Sequence, residues 1–257
     1  MASDEVIGYK AKGVRELSQR NNMKKTNSLY VSAPVNALVK GILREDKTLE
    51  EVLEHGNFGL GTFNDLDGEM VLLDGIFYDL HSDGKTNIAD VTIQTPYACV
   101  TEFEPDTSLH VDEDLSFDLL KRKIDQMVLS KNLIYAIEVS GDFSSIKARS
   151  VPKQETYRPL VDIAGDQTEF FFSNVKGTLV GFWTPDFMDS VTVPGYHLHF
   201  LSDDKTKGGH LLDCACSSVV IKIQSIDQLT LDLPHSIDYL TAKLEGDVRK
   251  DLDKAEH

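Results

Sequence analysis

The chain has 257 residues, of which 41% are hydrophobic, so it is long enough for one large domain or two small ones around a buried core. Its formal net charge of −16 at pH 7 argues against a nucleic-acid partner, because a phosphate backbone requires a basic surface. The short apolar runs argue against a membrane partner, and the lack of an apolar secretion signal together with an odd count of 3 cysteines favours reduced thiols in the cytoplasm.

The first half of the chain contains helix patterns followed by a strand-rich stretch. Residues 1–28 are polar and are expected to form a flexible lead-in. Residues 28–43 carry apolar side chains at helical spacing and predict a helix, and residues 47–56 predict a second helix that starts with a capping box. Residues 57–103 contain short apolar runs separated by Asp-Gly pairs, which are typical of tight turns, and they predict a meander of antiparallel strands.

The middle of the chain holds one further helix and a strand pair. Residues 116–130 predict an amphipathic helix with Ser116 as its N-terminal cap. Residues 132–151 are interpreted as a strand, a turn at Gly141-Asp142 and a second strand, because a glycine beside an aspartate between apolar runs favours chain reversal.

A polar, turn-rich stretch follows and suggests how the chain divides. We place a domain boundary near residue 160, with an N-terminal α/β domain at 29–160 and a C-terminal β-rich domain at 161–257. Several apolar segments of strand character occupy the second unit. The predicted class is therefore α+β, a mixed α/β protein with two sheet-based subdomains, mixed or antiparallel sheets and flanking helices.

Three of the 8 histidines lie within the segment GYHLHFLSDDKTKGGH, residues 195–210. His197 and His199 are two residues apart and would project from one face of a strand. A polar, glycine-rich loop follows, and a hairpin symmetric about Asp204-Lys205 would set His199 opposite His210. Cross-strand neighbours have Cβ atoms about 5 Å apart, so the three imidazoles would converge on one point.

Three converging imidazoles favour a metal site with open positions, as in catalytic zinc centres. Copper, nickel, iron and manganese also accept such ligands, and the competing interpretation is a chance group of surface histidines. Cys214 and Cys216 share the parity of His210 but would lie further along the strand, so we interpret them as packed thiols.

The histidine pattern GYHLHF with GGH, together with GTFNDLDGEM, the SDG of HSDGKT, and ARSVPKQ, resembles the alpha-acetolactate decarboxylase family. The resemblance runs from about residue 28 to the end of the chain. It implies a cytosolic or secreted enzyme, a homodimer of two-domain α/β subunits, that converts 2-acetolactate, a small-molecule substrate, to (R)-acetoin and carbon dioxide. It also implies a Zn²⁺ ion bound by His197, His199 and His210.

The same resemblance implies four further site residues. Thr62 would orient the substrate through its hydroxyl, and Arg149 would position the substrate carboxylate with two parallel donors. Glu69 and a tail carboxylate, best matched by Glu256 with Asp253 second, are the candidates for the acid–base group. Either carboxylate would need a raised pKa for that role, and the sequence does not choose between them.

Two other functional classes compete with this enzyme. One is a non-catalytic, metal-stabilised binding protein, in which the metal has no open position. The other is a different small-molecule metalloenzyme built on the same three-histidine site, since function depends on the site and not on the fold. The set of Glu69, Arg149 and a tail carboxylate suits a small hydroxy-keto acid better than a peptide or a nucleotide.

Overall fold

A computed structural model describes residues 27–246 and 249–256, with the backbone alone at residues 164 and 253–256. The fold is α+β, as predicted, and two sheets dominate it. The strands in the described ranges are β1 (Ser28–Val31), β2 (Phe58–Thr62), β3 (Glu69–Leu73), β4 (Ile76–Leu80), β5 (Thr86–Ile88), β6 (Tyr97–Thr101), β7 (Thr107–Val111), β8 (Leu115–Ser116), β9 (Ile134–Ser150), β10 (Thr168–Thr184), β11 (Gly195–Ser202), β12 (Gly208–Ile226) and β13 (Gln228–Leu231). The α-helices are α1 (Val35–Val39), α2 (Leu49–Leu53), α3 (Phe117–Met127), α4 (Leu160–Ile163), α5 (Ile237–Thr241) and α6 (Arg249–Glu256).

The first sheet has seven strands in the order β13-β1-β6-β2-β3-β4-β5. Strands β2 to β5 form the antiparallel meander that the Asp-Gly pairs predicted. Strand β6, which was predicted to continue it, instead returns to pair with β2 and β1. Asp74 and Gly75 form the two-residue turn between β3 and β4, with φ of 53° and 77°, as a tight hairpin of this length requires. Helix α2 packs nearby and begins with the predicted capping box of Thr48 and Glu51.

The second sheet has the order β11-β10-β9-β12-β7, and β8 pairs with β12. An additional pairing of β11 with β12 joins the two ends of the run, so β11, β10, β9 and β12 form a closed ring of hydrogen-bonded strands. Helix α3, capped by Ser116 as predicted, covers this ring and buries Leu120 and Ile124.

One apolar cluster joins the two sheets and several short helices. It contains Leu60 of β2, Val180 of β10 and Leu201 of β11. The same cluster takes in Leu38 of α1 and Leu252 of α6. Apolar side chains therefore enclose the space between the two sheets, except at the positions where polar residues take their place.

Two of the predicted local structures are wrong. Residues 28–31 form strand β1 and not the start of a helix, because they pair with β13 on one side and β6 on the other, and the helix begins only after Pro34. The chain also does not reverse at Gly141-Asp142. Strand β9 continues through this point because it pairs with β10 and β12 on both sides, and Gly141, at φ 148°, stays paired with Gly177 and Val219.

The predicted boundary near residue 160 and the two units it defines stay predictions. Strand β9 and strand β10 lie side by side in the second sheet, while β13 joins the first sheet. The lead-in at residues 1–28 falls, except for its last two residues, outside the described part of the chain. Within the described part, none of the helices has the length and apolar character needed to cross a bilayer.

Candidate active site

The three histidines come together as the hairpin pattern predicted. His199 on β11 is the direct partner of His210 on β12, and His197 lies two residues before His199 on the same face. All three are buried, with exposed fractions of 8% for His197, 1% for His199 and 3% for His210. The ring centroids are 5.1–5.3 Å apart, and one nitrogen from each ring lies within 4.8 Å of the others. Three neutral imidazoles in this geometry form a suitable ligand set for a divalent metal ion.

A backbone contact fixes the orientation of one of these rings. His199 Nδ1 lies 2.8 Å from the carbonyl oxygen of Met70 on β3. A carbonyl can only accept, so Nδ1 carries the proton and donates it, and the lone pair of the neutral ring is on Nε2. A hydrogen bond of this kind on the remote nitrogen is the usual way in which proteins orient a metal-binding imidazole.

Glu69 and Arg149 lie beside the histidines and contact each other. Arg149 Nη1 donates to Glu69 Oε1 at 3.3 Å, and Glu69 Oε2 lies 3.6 Å from His199 Nε2. Both side chains are buried. Arg149 is the direct cross-strand partner of His210 on β12, so the cation stands next to the candidate metal ligands. The structure thus brings together Glu69, Arg149 and the three histidines.

The site residues form two rows that face each other across the two sheets. In the second sheet, His199, His210 and Arg149 are direct partners on the adjacent strands β11, β12 and β9. In the first sheet, Thr62 of β2 pairs with Glu69 of β3 on one side. Directly opposed residues project to the same face, and the contacts of Glu69 join the two rows.

Tyr97 extends the row in the first sheet and was not predicted as a site residue. Tyr97 lies on β6 and is the direct cross-strand partner of Thr62 on β2. Its hydroxyl accepts a hydrogen bond from Cys99 Sγ at 3.0 Å. Burial raises the pKa of the Cys99 thiol to about 12, which keeps it protonated as a donor. The position of Tyr97 follows from the neighbouring strands β6 and β2, an order that no local pattern in the sequence encodes.

A cavity of about 40 Å³ lies between the two rows. Its polar lining consists of Thr62, Glu69, Tyr97, Arg149, His197 and His199. The Thr62 hydroxyl donates to the carbonyl of Gly68 at 2.7 Å, so this contact holds the chain where it enters β3 at Glu69. The remaining lining is aliphatic apart from Gly61. A small polar molecule with alkyl groups matches such a cavity better than a long chain does.

Known proteins resemble this chain over most of its length. A family model described as alpha-acetolactate decarboxylase matches residues 29–246. The chain belongs to the alpha-acetolactate decarboxylase family. The resemblance found in the sequence is therefore confirmed, and with it the expectation that the chain is an enzyme.

Individual members of the alpha-acetolactate decarboxylase family are similar over most of their length. The protein from Klebsiella aerogenes is 40% identical over 217 residues, which cover 84% of each chain. The protein from Methanosarcina mazei is 39% identical over 229 residues, 89% of this chain and 80% of the relative. The crystal structure of alpha-acetolactate decarboxylase from Bacillus subtilis strain 168 superposes with a TM-score of 0.87, at 35% identity over 89% of this chain and 99% of that one.

The remaining site predictions concern the tail and two cysteines. The side chains of Asp253 and Glu256 lie outside the described residues, although the helix that carries them packs beside α4. Cys214 and Cys216 are buried free thiols in the apolar cluster on the other side of β12, as interpreted from the sequence. A bulge between Leu211 and Asp213 turns them away from the face that carries His210.

Proposed function

We propose that this protein catalyses the zinc-dependent decarboxylation of 2-acetolactate to (R)-acetoin and carbon dioxide. The observation that carries the proposal is the convergence of three buried imidazoles with Glu69 and Arg149, next to a small cavity that His197 and His199 line. Family membership supports the same reaction, because the curated relatives bear the name alpha-acetolactate decarboxylase.

The donor set fits a zinc ion. His197, His199 and His210 would hold it through one nitrogen each, and three protein ligands leave positions open for other molecules. When bound, the ion would supply positive charge for the electron pair that is released as the carbon–carbon bond breaks. The proton of His199 on Nδ1 faces Met70, which supports Nε2 as the nitrogen that faces the ion.

Arg149 binds and orients the substrate in this proposal. Its guanidinium is the buried cation of the polar lining and offers parallel donors to a planar carboxylate. The bond between that carboxylate and the second carbon must break, and the electron pair moves toward the adjacent ketone. Very tight binding of the carboxylate would oppose its departure as carbon dioxide, so we assign Arg149 a positioning role.

Glu69 holds or moves the proton that completes the reaction. After loss of carbon dioxide, one proton must reach one face of the former second carbon to give a single enantiomer. Glu69 projects from β3 into the cavity, and its contacts with Arg149 and His199 fix where its oxygens lie. A fixed carboxyl group that approaches from one side would give a single enantiomer, as formation of (R)-acetoin requires.

The reaction is tested by supplying 2-acetolactate to the purified protein. We expect acetoin and carbon dioxide in equal amounts, with the R enantiomer on a chiral column, and zinc by elemental analysis. A chelator should remove the activity, and added zinc should restore it. Zinc binding without any turnover would instead support the non-catalytic binding protein and contradict the proposal.

Replacing one metal ligand should remove the ion and the activity together. His210→Ala deletes one of three nitrogens, so we expect zinc content and turnover to fall in parallel. His110→Ala is the matched control, because His110 is an exposed histidine on β7. Full activity in a zinc-free His210→Ala protein would exclude a role for the metal.

The tail carboxylate requires a separate test. A chain that ends at Lys254 lacks Glu256 but keeps Leu252, which anchors α6 in the apolar cluster. If Glu256 takes part in proton transfer, this truncation should keep zinc and lower kcat. Unchanged turnover would remove Glu256 from the site and leave Glu69 as the acid–base group.

The resemblance to the family also leads us to propose a homodimer, and the three free cysteines lead us to propose the cytoplasm as its location. Sedimentation equilibrium of the purified chain should give twice the mass of 28.7 kDa. Fractionation of the source cells would test the location, and recovery of the protein outside the cytoplasm would contradict it.

A further inference from the structure

The aliphatic half of the cavity lining comes from different elements than the polar half. Its members are Val35, Leu38, Leu66, Val151 and Leu160, and we refer to these five residues as the aliphatic wall. All five are buried, and all belong to the cluster that joins the two sheets. The polar lining comes from strands, whereas Val35 and Leu38 come from α1 and Leu160 from α4.

Neighbouring helices pack against the elements that carry the aliphatic wall. Helix α4 packs against α1 and against the tail helix α6, whose Leu252 is buried in the same cluster. Val35 is also held by its backbone, which donates to the carbonyl of Val191 at 3.1 Å. Close-packed aliphatic side chains with this support do not move aside readily for an additional carbon atom.

The proposed substrate has polar groups and apolar groups, as the cavity lining does. Its hydroxyl, ketone and carboxylate oxygens match the imidazoles, Arg149 and Glu69. Its two methyl groups, one on the reacting carbon and one on the ketone, have no partner on that side. They therefore face the aliphatic wall, which supplies the apolar side chains of the lining.

We propose that Leu38 and Leu160 set the upper size of the alkyl group on the reacting carbon. This inference rests on the proposed function, since it assigns a specificity role within that same site. The homologue with an ethyl group at this carbon adds one methylene, which would press against the unmodified wall. Turnover of the methyl substrate is therefore preferred over turnover of the ethyl homologue.

Removing one carbon from the wall should shift this preference in a defined direction. In Leu38→Val and Leu160→Val we expect the ratio of kcat/KM for the ethyl homologue to that for 2-acetolactate to rise by about fourfold, the equivalent of about 0.8 kcal/mol per methylene. Val35→Leu adds a methylene to the wall and should lower the ratio. Opposite shifts from enlarging and reducing the cavity are not expected from a loss of stability alone.

Leu43→Val is the matched control. Leu43 is fully buried in the same cluster but does not line the cavity, so the substitution should leave the ratio unchanged. An unchanged ratio in both Leu38→Val and Leu160→Val, or an equal rise in Leu43→Val, would overturn the specificity role.

A binding measurement separates this inference from the reaction itself. The acids 2-hydroxy-2-methylpropanoate and 2-hydroxy-2-methylbutanoate differ by one methylene, lack the ketone and cannot react, so calorimetry on the zinc-loaded protein gives their Kd values directly. We expect Leu160→Val to improve binding of the ethyl acid relative to the methyl acid. If neither keto substrate turns over, the proposed reaction fails, while the ratio of Kd values still supports or contradicts the aliphatic wall.

Discussion

Glu69 is the residue through which the two rows of the site make contact. Its oxygens lie 3.3 Å from Arg149 Nη1 and 3.6 Å from His199 Nε2. Thr62 stands beside it on β2, and the carbonyl of Gly68 just before it accepts from the Thr62 hydroxyl. A carboxyl group held from several sides has a defined direction of approach, which a proton transfer to one face of a carbon requires.

Glu69→Gln keeps the size of the side chain and removes its charge and its exchangeable proton. Since acid–base groups typically contribute about 10²–10⁴-fold, we expect kcat to fall by at least about 100-fold with zinc content unchanged. Glu138→Gln is the control, because Glu138 has the same exposed fraction of 9% but pairs with Lys222 elsewhere in the second sheet. A kcat within threefold of the unmodified protein in Glu69→Gln would contradict the acid–base role.

The position of strand β11 depends on its close approach to strand β10. Gly181 of β10 is the partner of Leu198 of β11, the residue between the two histidines. A Cβ atom at Gly181 would lie 2.0 Å from the carbonyl oxygen of His197 and 2.9 Å from a methyl group of Leu60. Strand β11 can therefore occupy its observed position only while residue 181 has no side chain.

Gly181→Ala should displace β11 and with it the histidine pair. We expect weaker zinc binding in a titration, and an unfolding free energy in urea lower by about 1–3 kcal/mol, the usual range for overpacking. Gly165→Ala serves as the comparison, since a Cβ there would have no neighbour within 4 Å. If Gly181→Ala binds zinc as tightly as the unmodified chain, the histidine positions do not depend on this approach.

At the scale of helices and strands, the sequence predicts local features well. The pairing of His199 with His210 followed from the symmetry of one hairpin, and the caps of α2 and α3 followed from residues three apart. The contact of Met70 with His199 joins residues 129 positions apart and needs the packing of two sheets, which no local pattern encodes. Similarly, the turn signal at Gly141 was overridden because pairing on both sides of β9 satisfies more backbone groups than a reversal would.

At the scale of the whole molecule, the charge opposes the proposed substrate. The chain carries 42 acidic and 26 basic residues, and 2-acetolactate is an anion. The general field therefore repels the substrate, and Arg149 must attract it at short range. Salt weakens the general repulsion more than the short-range attraction by Arg149, because charges that are buried and close together are screened least.

We accordingly expect kcat/KM for 2-acetolactate to rise with sodium chloride. Between roughly 10 mM and 150 mM salt the screening length falls from about 30 Å to about 8 Å, and an increase of about twofold is expected. The value of kcat at saturation should stay constant, which controls for effects on chemistry. A decrease of kcat/KM with salt would mean that local attraction by Arg149 dominates the approach of the substrate.

The closed ring of β11, β10, β9 and β12 has a practical consequence for the proposed zinc site. Every strand of the ring is hydrogen-bonded on both sides, and apolar clusters cover both faces, so its shape does not depend on a bound ion. Protein stripped by dialysis should therefore remain folded and accept a substitute without refolding. Cobalt(II) introduced in this way would provide visible absorption bands, and their intensity would report the coordination number during turnover.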